Sequence, residues 1–158
     1  MTMDVFTDYG LDIFGDATKI IRKSADQIVN NSETLVDDNE LLFAVGANEV
    51  WAVEAVLKTL SATTTPDVKT QWDGPTGVEM RGQCVYRTAA GAQGTSDLEI
   101  YPLTIEATDV GRITFWGRMI FVIAATAGNI KLQWAQNVAT AEDTKILANS
   151  FIIAHRLA

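Results

Sequence analysis

The sequence predicts an all-β chain: an antiparallel β-sandwich of the jelly-roll kind with a short extended N-terminal arm. Three observations predict it. Apolar residues recur with period 2 nearly everywhere, and helical spacing is almost absent. About eight such runs follow one another at short, regular spacing. Gly, Pro and Asn punctuate them, most clearly in "DGPTG" at 73–77.

Along the chain, "ELLFAV" alternates Leu41, Phe43 and Val45 before the turn "GAN". "EVWAVEAVLKTL" puts Trp51, Val53, Ala55 and Leu57 on one face and the mixed set Val50, Ala52, Glu54, Val56 and Lys58 on the other. A helix over 49–60 competes on composition. The period-2 face and the missing cap after Leu60 favour a strand. "DVKTQW" turns Val68, Thr70 and Trp72 inward. "VEMRGQCVYR" does so for Val78, Met80, Cys84 and Tyr86, with Gly82 marking a bulge or a close approach. "AAGAQGTSD" (89–97) reads as a loop, and "LEIYPLTIEAT" as one strand with an edge or kink at Pro102. "GRITFWGRMIFVIAAT" is apolar on both faces. It predicts a central strand, or one with a face against another subunit. "NIKLQWAQN" alternates Ile130, Leu132 and Trp134 with Lys131 and Gln133, and "KILANSFIIAHRLA" follows as a last strand.

Residues 1–24 are read as an arm and 25–158 as the sandwich. Asp4, Asp8, Asp12 and Asp16 are spaced by four, but like charges at that spacing repel on a helix, and Gly10 and Gly15 weaken one. As extended chain, Val5, Tyr9, Leu11 and Ile13 share an apolar edge opposite the acids. Such an edge needs a surface to lie on.

With 158 residues, 47% of them hydrophobic and 20% charged, the composition is that of a globular domain. A net charge of −8 disfavours nucleic acid as a partner. No apolar run reaches the roughly 18–20 residues of a spanning helix, so no membrane partner is expected. Four aspartates and no lysine or arginine in residues 1–16 argue against a secretory signal and for synthesis in a cytoplasm.

The search for chemistry is negative. No catalytic residues, no metal site and no cofactor are assigned, and the chain is not expected to be an enzyme. The lone His155 reads as a packed or rim residue, and Cys84 as a small core residue. With one of each, a structural zinc site is implausible. "VDDNE" (36–40) reads as a solvated acidic turn without EF-hand spacing. "NNS" at 30–32 is a chance sequon. Of the four tryptophans, Trp51, Trp72 and Trp134 fall in the apolar phase. Trp116 falls out of phase with Ile113, Phe115, Met119 and Phe121, which points it at a neighbouring subunit or a ligand. Phe115, Trp116 and Arg118 are therefore the candidate subunit interface.

Four stretches in order carry a family resemblance: "ADQIVNNSETLVDDNELLFAVGANEVWAVEAVL", "TPDVKTQWDGPTG", "GNIKLQWAQN" and "ILANSFIIAHRL". Over about residues 25–158 they resemble a module recurrent in tailed-phage virion proteins, of the capsid decoration (cement) and head- or tail-fibre tip type. The resemblance implies a small β-sandwich, a homotrimer, carried on the outside of a phage particle. A short arm in place of a fibre shaft favours a decoration protein on the outer capsid surface, partnered by the major capsid protein and gripping it through Val5, Phe6, Tyr9, Leu11, Ile13 and Phe14. The alternative it implies is a receptor-binding adhesin at a fibre tip.

Overall fold

The computed structural model describes residues 17–63, 65–88, 92–98, 102–105 and 112–158. Twelve strands are present among them. These are β1 (Thr18–Arg22), β2 (Gln27–Val29), β3 (Val36–Val45), β4 (Val50–Ser61), β5 (Val68–Asp73) and β6 (Glu79–Arg87). They continue as β7 (Gln93–Leu98), β8 (Leu103–Ile105), β9 (Arg112–Val122), β10 (Gly128–Gln136), β11 (Thr144–Ile146) and β12 (Phe151–Arg156).

Period-2 strands with one apolar face must pair those faces, and two sheets result. The small sheet has the order β3-β10-β5-β8, and the large one β1-β12-β4-β9-β6-β7. Within them, the eight successive strands β3 to β10 give the orders β3-β10-β5-β8 and β4-β9-β6-β7. That interleaving is the double Greek key of a jelly roll. β12 and β1 widen the large sheet beyond β4, and β11 bridges β4 to β2. All pairings are antiparallel.

The core lies between the sheets and takes the inward phase of each strand. Leu41, Phe43, Trp51, Ala55, Leu57, Val68, Trp72, Met80, Phe121, Ile130, Leu132 and Trp134 are all buried. Ring pairs stitch the layers: Phe43 to Trp51 at 5.5 Å and Trp72 to Phe121 edge-on at 5.8 Å. Gly82 is a close approach, as its position in the strand pattern suggested. A Cβ there would sit 2.3 Å from the Arg118 carbonyl oxygen and 2.8 Å from Met119 Cα, so β6 and β9 meet only because it is glycine.

The structure departs from the sequence reading in five places. Residues 18–22, placed in the arm, form β1 and pair with β12 from Thr18↔His155 to Arg22↔Phe151. Gln93–Leu98, read as loop, is the edge strand β7, because cross-strand pairing with β6 outweighs its small, polar composition. "LEIYPLTIEAT" is not one strand: Leu98 closes β7 in the large sheet, and Leu103–Ile105 open β8 in the small one. Pro102, which has no N–H to give a ladder, stands between them. The last run is also two strands, β11 and β12, separated by a turn with Asn149 at φ 68.

The fifth departure is a β-bulge. The β4–β9 register shifts between Leu57 and Lys58, so that Leu57 faces Phe115 and Lys58 faces Ile113. Thr114 is the extra residue. It turns inward, where its hydroxyl meets that of Thr59 at 3.0 Å, both side chains buried. Ile113 is thereby thrown out of phase with Phe115 and is 58% exposed.

Candidate functional surface

The outward phase of the large sheet is the surface to examine, because its side chains form continuous rows across five or six strands. One row runs Arg22, Phe151, Val56, Trp116, Val85, Thr95. The next runs Ile20, Ile153, Glu54, Arg118, Gln83, Asp97. A third runs Thr18, His155, Ala52, Ile120, Arg81, and a fourth starts with Val50 and Val122. Large apolar side chains are left to solvent along these rows and beside them: Ile20, Ile113, Trp116, Ile120 and Val122. A contiguous apolar face of this kind on a sandwich marks a contact surface.

Several polar groups on this face are engaged with one another. Arg118 Nε donates to Glu54 Oε2 at 3.2 Å, and its guanidinium lies 5.8 Å from the Trp116 ring centre. Gln83 Nε2 donates to Asp97 Oδ1 at 3.2 Å. Small residues at Ala52 and Gly82 let the middle of the face dip into an open hollow of about 900 Å³, rimmed by Glu54, Arg118 and His155. His155 sits on the rim with Nδ1 at 2.9 Å from the Thr18 hydroxyl. Cys84 lies under the sheet, and burial pushes its thiol up to about 11, which disfavours the thiolate. Among the described residues no cluster of three or more His, Cys, Asp or Glu is placed to hold a metal.

Of the candidate interface residues, Trp116 and Arg118 present their side chains to this face, Trp116 at 49% exposure. Phe115 does not: it is a core residue at 2% exposure, one step out of phase with its neighbour. The outward list lacked Ile113, Ile120 and Val122. Ile120 and Val122 share the phase of Trp116 and were legible; Ile113 was hidden by the Thr114 bulge. The arm residues Val5, Phe6, Tyr9, Leu11, Ile13 and Phe14 lie outside the described residues.

The acidic turn "VDDNE" is a different object from the solvated loop expected. β3 swells where it pairs β10, since Lys131 faces Leu42 and Gln133 faces Asp37. Asp38 folds under this swelling and is wholly buried, bound to the equally buried Lys23 at 2.8 Å. Glu40 accepts the Ser24 and Ala25 N–H groups, and the Ser24 contacts above all hold its carboxyl below the usual range. A lysine fifteen residues upstream gave no local signal that it would neutralise Asp38.

No protein-family model matches the sequence, and no curated protein matches it. Among solved structures the chain is similar to the VP2 subviral particle of infectious bursal disease virus. Identity is 8% and the TM-score 0.22, over 90% of this chain and 41% of that one. It is similar also to the T=1 particles derived from the same virus, at 9% identity and a TM-score of 0.24, over 90% of this chain and 40% of that one. The chain thus spans about two fifths of the length of these neighbours.

Proposed function

We propose that this chain is a structural protein of a phage particle: a capsid decoration (cement) protein, made in the host cytoplasm, that trimerises on the outer capsid surface. The observation that carries the reading is the apolar outer face of the large sheet on a jelly-roll sandwich. Trp116, Ile120, Val122 and Ile113 need a cover, and a second and third copy supply it. Arg118 and Glu54, paired with each other, stand in the middle of that face, so it carries no net charge there. The sequence resemblance to phage virion modules supports the same reading.

In this proposal the trimer holds the major capsid protein through residues 1–16, with Val5, Phe6, Tyr9, Leu11, Ile13 and Phe14 as the anchors. Three arms on one body act multivalently, so modest contacts per arm add to firm attachment. Bridging adjacent capsomers raises the work needed to separate them. Deletion of residues 1–16 tests it: the expected product is a folded trimer that no longer binds capsids. Decoration at full occupancy by the truncated chain overturns the arm assignment.

One observation favours a second reading, a receptor-binding tip. The hollow sets planar polar groups (Gln83, Asp97, Arg118) beside the exposed Trp116 ring, a combination that suits stacking and hydrogen bonding to a sugar. Glycan binding lost in Trp116→Ala, with copies located at a fibre rather than the head in a virion map, selects it.

A further inference from the structure

Lys23 and Asp38 are the most deeply buried charged side chains among the described residues, at 1% and 0% exposure. Lys23 Nζ lies 2.8 Å from Asp38 Oδ1 and 3.9 Å from Glu40 Oε1. The two oxygens of Asp38 are treated unequally. Oδ1 also accepts the backbone N–H groups of Glu40 at 3.0 Å and Leu41 at 2.9 Å. Oδ2 is buried with no hydrogen-bond partner among the described residues. An ion pair that served only to hold charge would be expected to satisfy both oxygens. One oxygen cradled by paired backbone N–H groups and one left free is the arrangement that acyl transfer uses: an oxyanion site and a leaving group.

We infer that Lys23 and Asp38 condense after folding into an intramolecular isopeptide bond. Nζ first passes one ammonium proton to the Asp38 carboxylate it touches; the neutral amine then attacks Cγ, and the new C–N bond forms while the charge on Oδ1 is held by the Glu40 and Leu41 N–H groups. The Cγ–Oδ2 bond then breaks. Oδ2 leaves as water with two of the three ammonium protons, and the third stays on the amide nitrogen. Lys–NH₃⁺ and Asp–COO⁻ therefore balance to amide and water with no oxidant or activating group. Contact between the two groups makes the condensation intramolecular, which removes the entropic cost of bringing them together. Condensation also removes two charges from the interior, and with them the desolvation penalty of a buried pair.

The bond has a mechanical meaning that is independent of the virion reading. Lys23 follows β1, the edge of the large sheet, and Asp38 lies in β3, the edge of the small one. The linkage staples the two sheets together at the Arg22 end of β1, so tension carried through β1 meets a covalent tie.

The test is the intact mass of the purified full chain. The expected mass is one water below that of the sequence, and fragmentation of a digest should show the Lys23 and Asp38 peptides joined. Asp38→Ala should restore the full mass. Lys23→Arg, checked for folding by circular dichroism, keeps the charge and should also show the full mass. A wild-type mass equal to the sequence, or a water loss mapped to other residues, overturns the proposal. A folded Lys23→Arg chain that still loses water at Asp38 overturns it as well.

Discussion

The two sheets share one core and one alternation, yet their outer faces are built differently. On the small sheet, Lys131 Nζ reaches Asp37 at 2.8 Å and Asp73 at 3.2 Å, and Gln133 donates to Asp37 at 2.7 Å. Lys131 first, then Gln133, holds Asp37 below the usual carboxylate range, and Asp37 in turn raises Lys131. That face meets its own needs and asks nothing of a partner. On the large sheet the same phase exposes Ile20, Trp116, Ile120 and Val122 among polar residues that include the Glu54–Arg118 and Gln83–Asp97 pairs. Water is a poor neighbour for such a row, so this face has a reason to associate and the other has none.

Four experiments break or sharpen that contrast, beginning with the largest effect. Gly82→Val, beneath the hollow, drives a side chain into the β9 backbone and should destabilise the fold by about 3 kcal/mol, read as a shifted denaturant midpoint. Trp116→Glu should leave the fold intact and weaken self-association by about 2 kcal/mol per contact. Sedimentation velocity should show the variant as monomer at concentrations where the proposal has the wild type as trimer. A Gln133→Glu control on the small sheet should leave the assembly unchanged, and disruption by both would erase the distinction between the faces. Lys131→Ala removes ion pairs whose members are all partly exposed, and should cost less than about 1 kcal/mol, falling further at high salt.

The smallest effect is in pH. Glu49 sits at the turn joining β3 to β4, across the two sheets. The Gly46 N–H, then Trp51 Nε1 and Arg156, hold its carboxyl below the ordinary 4.5. A depressed folded value means a contribution fully present above 4.5 and lost as pH falls through the lower folded value. The wild-type midpoint should therefore drop more steeply below about pH 4.5 than that of Glu49→Gln.

Much of the sandwich was legible because a strand reports its own two faces. Trp51, Trp72 and Trp134 fall in the apolar phase and are core; Trp116 falls in the other phase and is exposed. Gln136, the buried last residue of β10, holds Ser32, Thr140, Glu142 and Thr144, contacts that no local pattern announced. His155 is a rim residue, as its place near the end of an apolar run suggested.

By itself, then, the sequence determined that the chain is all strand, which side of most strands is buried, and that Trp116 stands apart. Those are consequences of a period-2 backbone, readable within a few residues. Only the tertiary structure decided which strands pair in jelly-roll order, that Pro102 separates two strands in two sheets, and that Thr114 shifts Ile113 outward. It also decided that Lys23 and Asp38 meet in the interior. Each of these depends on contacts between residues far apart in the chain, where register and burial are set by the neighbour and not by the local pattern.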